Sequence, residues 1–138
     1  MRVGRLVILA AACLGAGCDD ELFGIADEGS TTPGATGYAG VNEIASANCL
    51  GCHGASSAAG SGFGLDLETD LAGATVGVVG GYGVPLVTPQ DLEQSMLYLK
   101  IAGENPDNTG GAMPPGAALG LGTVDVVAAW IEDGAPAQ

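Results

Sequence analysis

Apolar residues recur with helical spacing in three stretches of the chain, and nowhere does a convincing two-residue alternation replace it. Val41, Ile44, Ala45 and Asn48 share one face and predict an opening helix that runs into Cys49. Leu92, Met96 and Leu99 mark a second face. It is preceded by Thr88-Pro89-Gln90-Asp91, which reads as a helix start with Thr as N-cap, Pro in the first turn and an acid three residues after the cap. Gly103 offers a stop. Val124, Val127, Ala128 and Ile131 fall at i, i+3, i+4 and i+7 in a last helix that Thr123 can cap and Gly134 and Pro136 end. Residues 76–87 are interrupted by glycine and have room for a short hairpin. The pattern predicts an all-α domain of three or more helices joined by long loops.

The first residues have a different character. Arg2 and Arg5 precede the apolar run Leu6-Val7-Ile8-Leu9-Ala10-Ala11-Ala12, which is short of the roughly 20 residues a permanent membrane span needs. Residues 1–17 are read as a removable signal peptide. Leu14-Gly15-Ala16-Gly17-Cys18 resembles a bacterial lipoprotein processing site, in which the cysteine becomes the lipidated first residue. Gly15 stands where such sites usually carry Leu, and Cys13, after three alanines, is the rival position. Ordinary secretion with cleavage nearby is the plainer alternative. Residues 18–37 are rich in acids, Gly, Ser, Thr and Pro, the composition of a flexible linker, here lipid-anchored; about 19 such residues span roughly 25 Å. Residues 38–138 make one small domain.

Removing the signal peptide takes Arg2 and Arg5 with it. Lys100 is then the one Lys or Arg against 16 acidic residues, a formal charge of −15. Such a chain does not neutralise phosphates, which excludes nucleic-acid binding of that kind. It favours a protein partner with a basic surface, unless the charge serves solubility alone. Aromatic residues are scarce, with two Phe, three Tyr and one Trp in the whole chain. A core made mainly of Ala and Val buries little area per residue, so a domain of this size gains from an apolar cofactor at its centre.

Cys49-Leu50-Gly51-Cys52-His53 is the strongest chemical signal. C-x-x-C-H reads as covalent attachment of a c-type haem. Two thiols separated by two residues reach the two vinyl groups of one haem, and the adjacent imidazole turns onto the iron from the same side. A single motif predicts one covalent haem c. Three alternatives exist. A structural zinc site wants about four ligands, and His53 is the only His of the chain. A thioredoxin-like pair belongs beside a βαβ pattern, which is not visible here. A plain Cys49–Cys52 disulfide has no evident structural purpose. With Cys13 removed, Cys18 lipidated and Cys49 and Cys52 on haem, no thiol is left over.

A second imidazole from the same chain is impossible, and the processed chain offers two methionines. Met113 lies in Gly110-Gly111-Ala112-Met113-Pro114-Pro115-Gly116, which cannot be helical throughout, so backbone shape alone can aim its thioether at iron. Met96 sits inside a predicted helix, where Met more often fills a core. Met113 is the preferred distal ligand; Met96 and an open or water-bound site are the alternatives.

Taken together, residues 38–138 resemble the small c-type cytochrome domains of bacterial envelope proteins. Their order is an opening helix ending in C-x-x-C-H-G, a variable middle, M-P-P-G, and a last helix ending near W-I-x-x-G-A. Here these are Ala47-Asn48-Cys49-Leu50-Gly51-Cys52-His53-Gly54, then Met113-Pro114-Pro115-Gly116, then Trp130-Ile131-Glu132-Asp133-Gly134-Ala135-Pro136. Residues 55–89 match only loosely. The resemblance implies a cytochrome c-like fold around one haem, with His53 and Met113 on the iron and Trp130 sealing the last helix against the opening one. It implies an electron carrier rather than an enzyme, working between redox proteins on the periplasmic or cell-surface side of a bacterial membrane. Two other classes remain open: a haem peroxidase or sensor with an open sixth position, and a haem-free structural lipoprotein. With Lys100 the only Lys or Arg left, haem propionates would be exposed or met by neutral donors such as Tyr or Trp.

Other patterns carry less. Gly77, Gly80, Gly81 and Gly83 do not fit G-x-G-x-x-G and lack a βα context. Asp66, Glu68 and Asp70 alternate like the start of a calcium loop, but Leu71 and Gly77 stand where that loop needs Gly and Glu. They read as a solvated turn.

Overall fold

The computed structural model describes residues 35–57 and 64–138. The predicted signal peptide, Cys13 and Cys18, and the linker as far as residue 34 lie outside the described residues. Five helices form among those described: α1 Gly37–Asn48, α2 Leu50–His53, α3 Leu71–Thr75, α4 Met96–Ala102 and α5 Leu121–Glu132. No strand forms there, and the pairing is limited to three isolated bridges, Val76 with Val87, Val79 with Pro85 and Thr88 with Asp91. The architecture is the all-α one that the periodicity predicts.

Val41, Ile44 and Ala45 are buried on α1, as their spacing requires, while exposed Asn48 turns its amide back to the Ile44 carbonyl at 2.9 Å. This face packs along α5, and α5 in turn packs against α4. Gly40 lets the first pair approach, since a Cβ there would lie 3.0 Å from Val126 Cγ1 on α5. Trp130 is fully buried, its ring centroid 6.2 Å from that of Tyr38, so the indole joins the last helix to the opening one. Its N–H donates to the Pro136 carbonyl at 2.8 Å, which satisfies the indole's one polar atom. Leu67, Leu71, Val87 and Ile101 complete the cluster from the intervening segments.

Two helix starts differ from expectation. α5 begins at Leu121 behind an extended Gly120, whose carbonyl accepts from Thr123 N at 3.0 Å and Val124 N at 3.1 Å. Thr123 is thus buried within the first turn rather than capping it. The larger difference is at α4, which starts at Met96 and not at Pro89. Gln90 has φ 64, a left-handed conformation that interrupts any helix, and its N–H donates to Ile131 O at 2.8 Å. The Ser95 hydroxyl donates to Asp91 O at 2.6 Å and accepts from Thr88 N at 2.9 Å, and Thr88 Oγ1 donates to Gln94 O at 3.0 Å. Residues 88–95 are therefore a closed turn fastened to α5. Gly103, with φ 77, ends α4 where expected. Residues 76–87 fold back through Leu86 N to Val78 O at 2.8 Å and Gly80 N to Val84 O at 2.9 Å, short of a hairpin with regular strands.

Candidate functional site

The C-x-x-C-H motif follows directly from α1. Cys49 keeps a right-handed backbone (φ −114, ψ −36) and donates from its N–H to Ala45 O at 2.8 Å. Its own carbonyl accepts from Cys52 N at 3.0 Å and His53 N at 2.7 Å. Positions 49, 52 and 53 thus stand at i, i+3 and i+4 of one helical turn and share a face. The buried apolar stripe of α1 fixes where that face lies.

The thiols differ in setting. Cys49 is half-buried and Cys52 exposed, and no disulfide joins them. Burial pushes the Cys49 thiol up, so it stays protonated at neutral pH and is a poor nucleophile. His53 Nδ1 is buried with no hydrogen-bond partner among the described residues, a costly arrangement for a ring nitrogen unless its environment changes. Among the described residues, His, Cys, Asp and Glu side chains nowhere converge in threes as a bare-metal site, so Cys49, Cys52 and His53 do not meet at one point as a zinc site requires. The donor set does fit a haem: two unjoined thiols, an imidazole on the same turn, and half-buried Leu50 and Leu65 for apolar contact.

The turn after His53 is held from outside. His53 O accepts from Leu67 N at 2.8 Å, and a Glu68 carboxylate oxygen accepts from Ala55 N at 3.0 Å. Asp66 shapes that neighbouring loop by accepting from the Thr69 hydroxyl at 2.7 Å and from Glu68 N at 2.9 Å. These bonds, the Thr69 hydroxyl foremost, hold its carboxyl below the usual range. Asp70 caps α3 through Gly73 N at 2.8 Å. The solvated-turn reading describes Asp66 and Asp70. It missed Glu68, whose partner lies 13 residues back and left no local signal.

Met113 belongs to a separate segment, residues 103–120. It is half-buried, its peptide bond to Pro114 is cis, and its N–H donates to Lys100 O at 2.9 Å. Among the described residues no hydrogen bond ties this segment to the C-x-x-C-H turn. Met96, by contrast, is 4 % exposed and lines a cavity of about 140 Å³ with Val84, Glu93, Gln94, Leu99 and Pro106. Lys100 is 8 % exposed; its ammonium donates to the Thr109 carbonyl and, at 3.0 Å, to that of Gly111, and burial pulls its pKa down. The i+4 spacing from Met96 was a signal for that burial. The Trp130 N–H is bonded to the Pro136 carbonyl and the Lys100 ammonium to carbonyls of its own loop, so neither is free among the described residues.

Residues 49–116 match the family model described as Planctomycete cytochrome C. That span opens on Cys49 of the haem motif and closes on Gly116 of Met-Pro-Pro-Gly. It supports a cytochrome c-like domain, and a domain of that kind suggests a haem-binding protein of electron transfer. Comparison with curated proteins and with solved structures gave no match. The helices α1 and α5, which carry most of the packing, lie outside the matched span. No helix among the described residues is long and apolar enough to cross a membrane.

Proposed function

We propose that this chain is a single-haem c-type cytochrome that carries one electron at a time between redox proteins of the bacterial envelope. The observation that carries the reading is the C-x-x-C-H turn itself. It sets two unjoined thiols and an imidazole on one helical face, inside the span that matches a cytochrome model. Cys49 and Cys52 would hold one haem c by thioethers, His53 would be the proximal ligand and Met113 the distal one. When bound, the haem would supply a one-electron iron couple, and a thioether ligand paired with an imidazole would favour its reduced form relative to two imidazoles.

The chain's own residues do the rest. α1 aims the motif, and the Leu67 and Glu68 contacts fix the exit of the turn. With His53 and Met113 both holding the iron, no position on it would be left for a substrate, which favours a carrier over an enzyme. A lipid on Cys18, on the periplasmic or cell-surface side, would keep the domain near a membrane-bound partner. The acid excess suits a partner with a basic surface.

A haem stain after denaturing electrophoresis tests the core of this reading, since only covalent haem survives unfolding. One haem per chain is expected, lost on joint replacement of Cys49 and Cys52 by alanine. A colourless protein from a host able to assemble c-type cytochromes would overturn it in favour of a haem-free lipoprotein. Tight binding of an added ligand to the resting protein would favour the peroxidase or sensor.

A further inference from the structure

Lys100 is the one Lys or Arg among the described residues, and it does not serve the surface. A lysine kept for solubility extends its head into water. This one is 8 % exposed and directs its ammonium to the carbonyls of Thr109 and Gly111, with the Tyr82 ring centroid 5.4 Å away. A buried charge is tolerated where hydrogen bonds replace its hydration, and two loop carbonyls and an aromatic face provide that here. The main chain of the same residue reaches the same loop, because Lys100 O accepts from Met113 N at 2.9 Å. The loop from 109 to 113 is thus held at three points by a single residue.

That residue sits on α4 between half-buried Leu99 and buried Ile101, so its own place is fixed by the core. The chain it holds contains Gly110 and Gly111, which on their own restrict the backbone least of all residues. Asn105 adds a lesser tie when its amide is turned so that nitrogen faces Gly111 O at 3.3 Å and oxygen faces Ala112 N at 3.2 Å.

We propose that Lys100 is a positioning residue for Met113: its ammonium pins the glycine-rich loop so that the thioether is presented in one place. This rests on the reading of Met113 as distal ligand. The test uses the ferric holoprotein titrated with imidazole, with the weak long-wavelength band of methionine–iron ligation as a second readout. Met113→Ala sets the limit, with the band gone and imidazole bound freely. Lys100→Met should keep covalent haem, weaken the band and raise imidazole affinity about tenfold, because apparent affinity follows the fraction of molecules with the thioether displaced. Lys100→Arg, which retains donors and charge, should recover most of the parent behaviour. Val127→Ala, a core change on α5, should lower stability without moving either readout.

Parent-like band and affinity in Lys100→Met, with both altered in Met113→Ala, would overturn the positioning role alone. A parent-like Met113→Ala would overturn the ligand assignment and the positioning role with it. Should Lys100→Met fail to accumulate, Lys100→Gln is judged by the same criterion.

Discussion

Replacing Gly54 by alanine would place a methyl group 2.7 Å from Leu50 O and 3.0 Å from a Glu68 carboxylate oxygen. The first neighbour is backbone and cannot swing away. Relief requires stretching the 3.0 Å bond from Gly54 N to Leu50 O, or moving Glu68 off the Ala55 amide it holds at 3.0 Å. Overpacking of this kind costs about 1–3 kcal/mol, and the lost hydrogen bond sits within that range. Gly51 is the internal control. It is exposed, lies within the one-turn helix α2 that Gly54 terminates, and a Cβ there meets nothing within 4 Å. Alanine should stabilise that position by roughly 0.5–1 kcal/mol. The two variants should therefore fall on opposite sides of the parent in urea unfolding of the holoprotein followed by circular dichroism. Gly54→Ala should also lower the haem-to-protein ratio, because the strained bond closes the turn that aims His53. Equal stabilities for the two variants, or a Gly54→Ala protein as stable and as fully loaded as the parent, would refute the account of the turn.

Met96→Ala should leave the visible spectrum of the holoprotein unchanged and destabilise it by about 2–3 kcal/mol, the low part of the range for a buried methionine. The groove that Met96 lines gives its neighbours room to relax after truncation, which keeps the cost low in that range; loss of the methionine–iron band in this variant would move the ligand from the loop to α4. Asp66 has a lowered carboxyl pKa in the fold, so its stabilising contribution is complete above the unfolded value of about 3.9 and fades as pH falls through the lower folded one. The stability gap between parent and Asp66→Asn should accordingly be wider at pH 7 than at pH 3, and a gap that holds constant or widens in acid contradicts the hydrogen bonds assigned to Asp66. Cys18→Ala with Cys13 intact should move the protein from the membrane fraction to the soluble one, and continued anchoring would indicate Cys13 or a retained signal segment. Reduction by a basic partner protein should slow as ionic strength rises toward 0.15 M, where the Debye length is about 8 Å, and a rate indifferent to salt would leave the acid excess a solubility feature.

The two long helices were legible because their apolar stripes are continuous and bury against each other. Val41, Ile44 and Ala45 on α1 and Val124, Val127 and Ile131 on α5 are all in the core. The start of α4 was not legible. Thr88, Pro89 and Asp91 have the chemistry of a helix start, but the same side chains close a turn once Ser95 bonds back to residues 88 and 91. Capping groups state which backbone donors they can satisfy, not whether a helix or a turn supplies them. At the site, the C-x-x-C-H turn was readable because its spacing coincides with one helical turn. Its supports were not, since the Glu68 carboxylate and the Lys100 ammonium reach across 13 and up to 11 residues of irregular chain.

The inward turn of Lys100 has a practical consequence for trapping a transient complex. Amine-directed cross-linkers would find almost nothing on this domain to acylate, since its one ε-amino group is enclosed by loop carbonyls and a tyrosine ring. Carboxylates such as Glu43, Glu93, Glu104, Asp107 and Asp125, by contrast, stand on the outside or near it. Carbodiimide activation should therefore couple this chain's acids to lysines of whatever docks, with little self-coupling, so that each new amide bond reports a residue pair in which the acid comes from here and the amine from the partner.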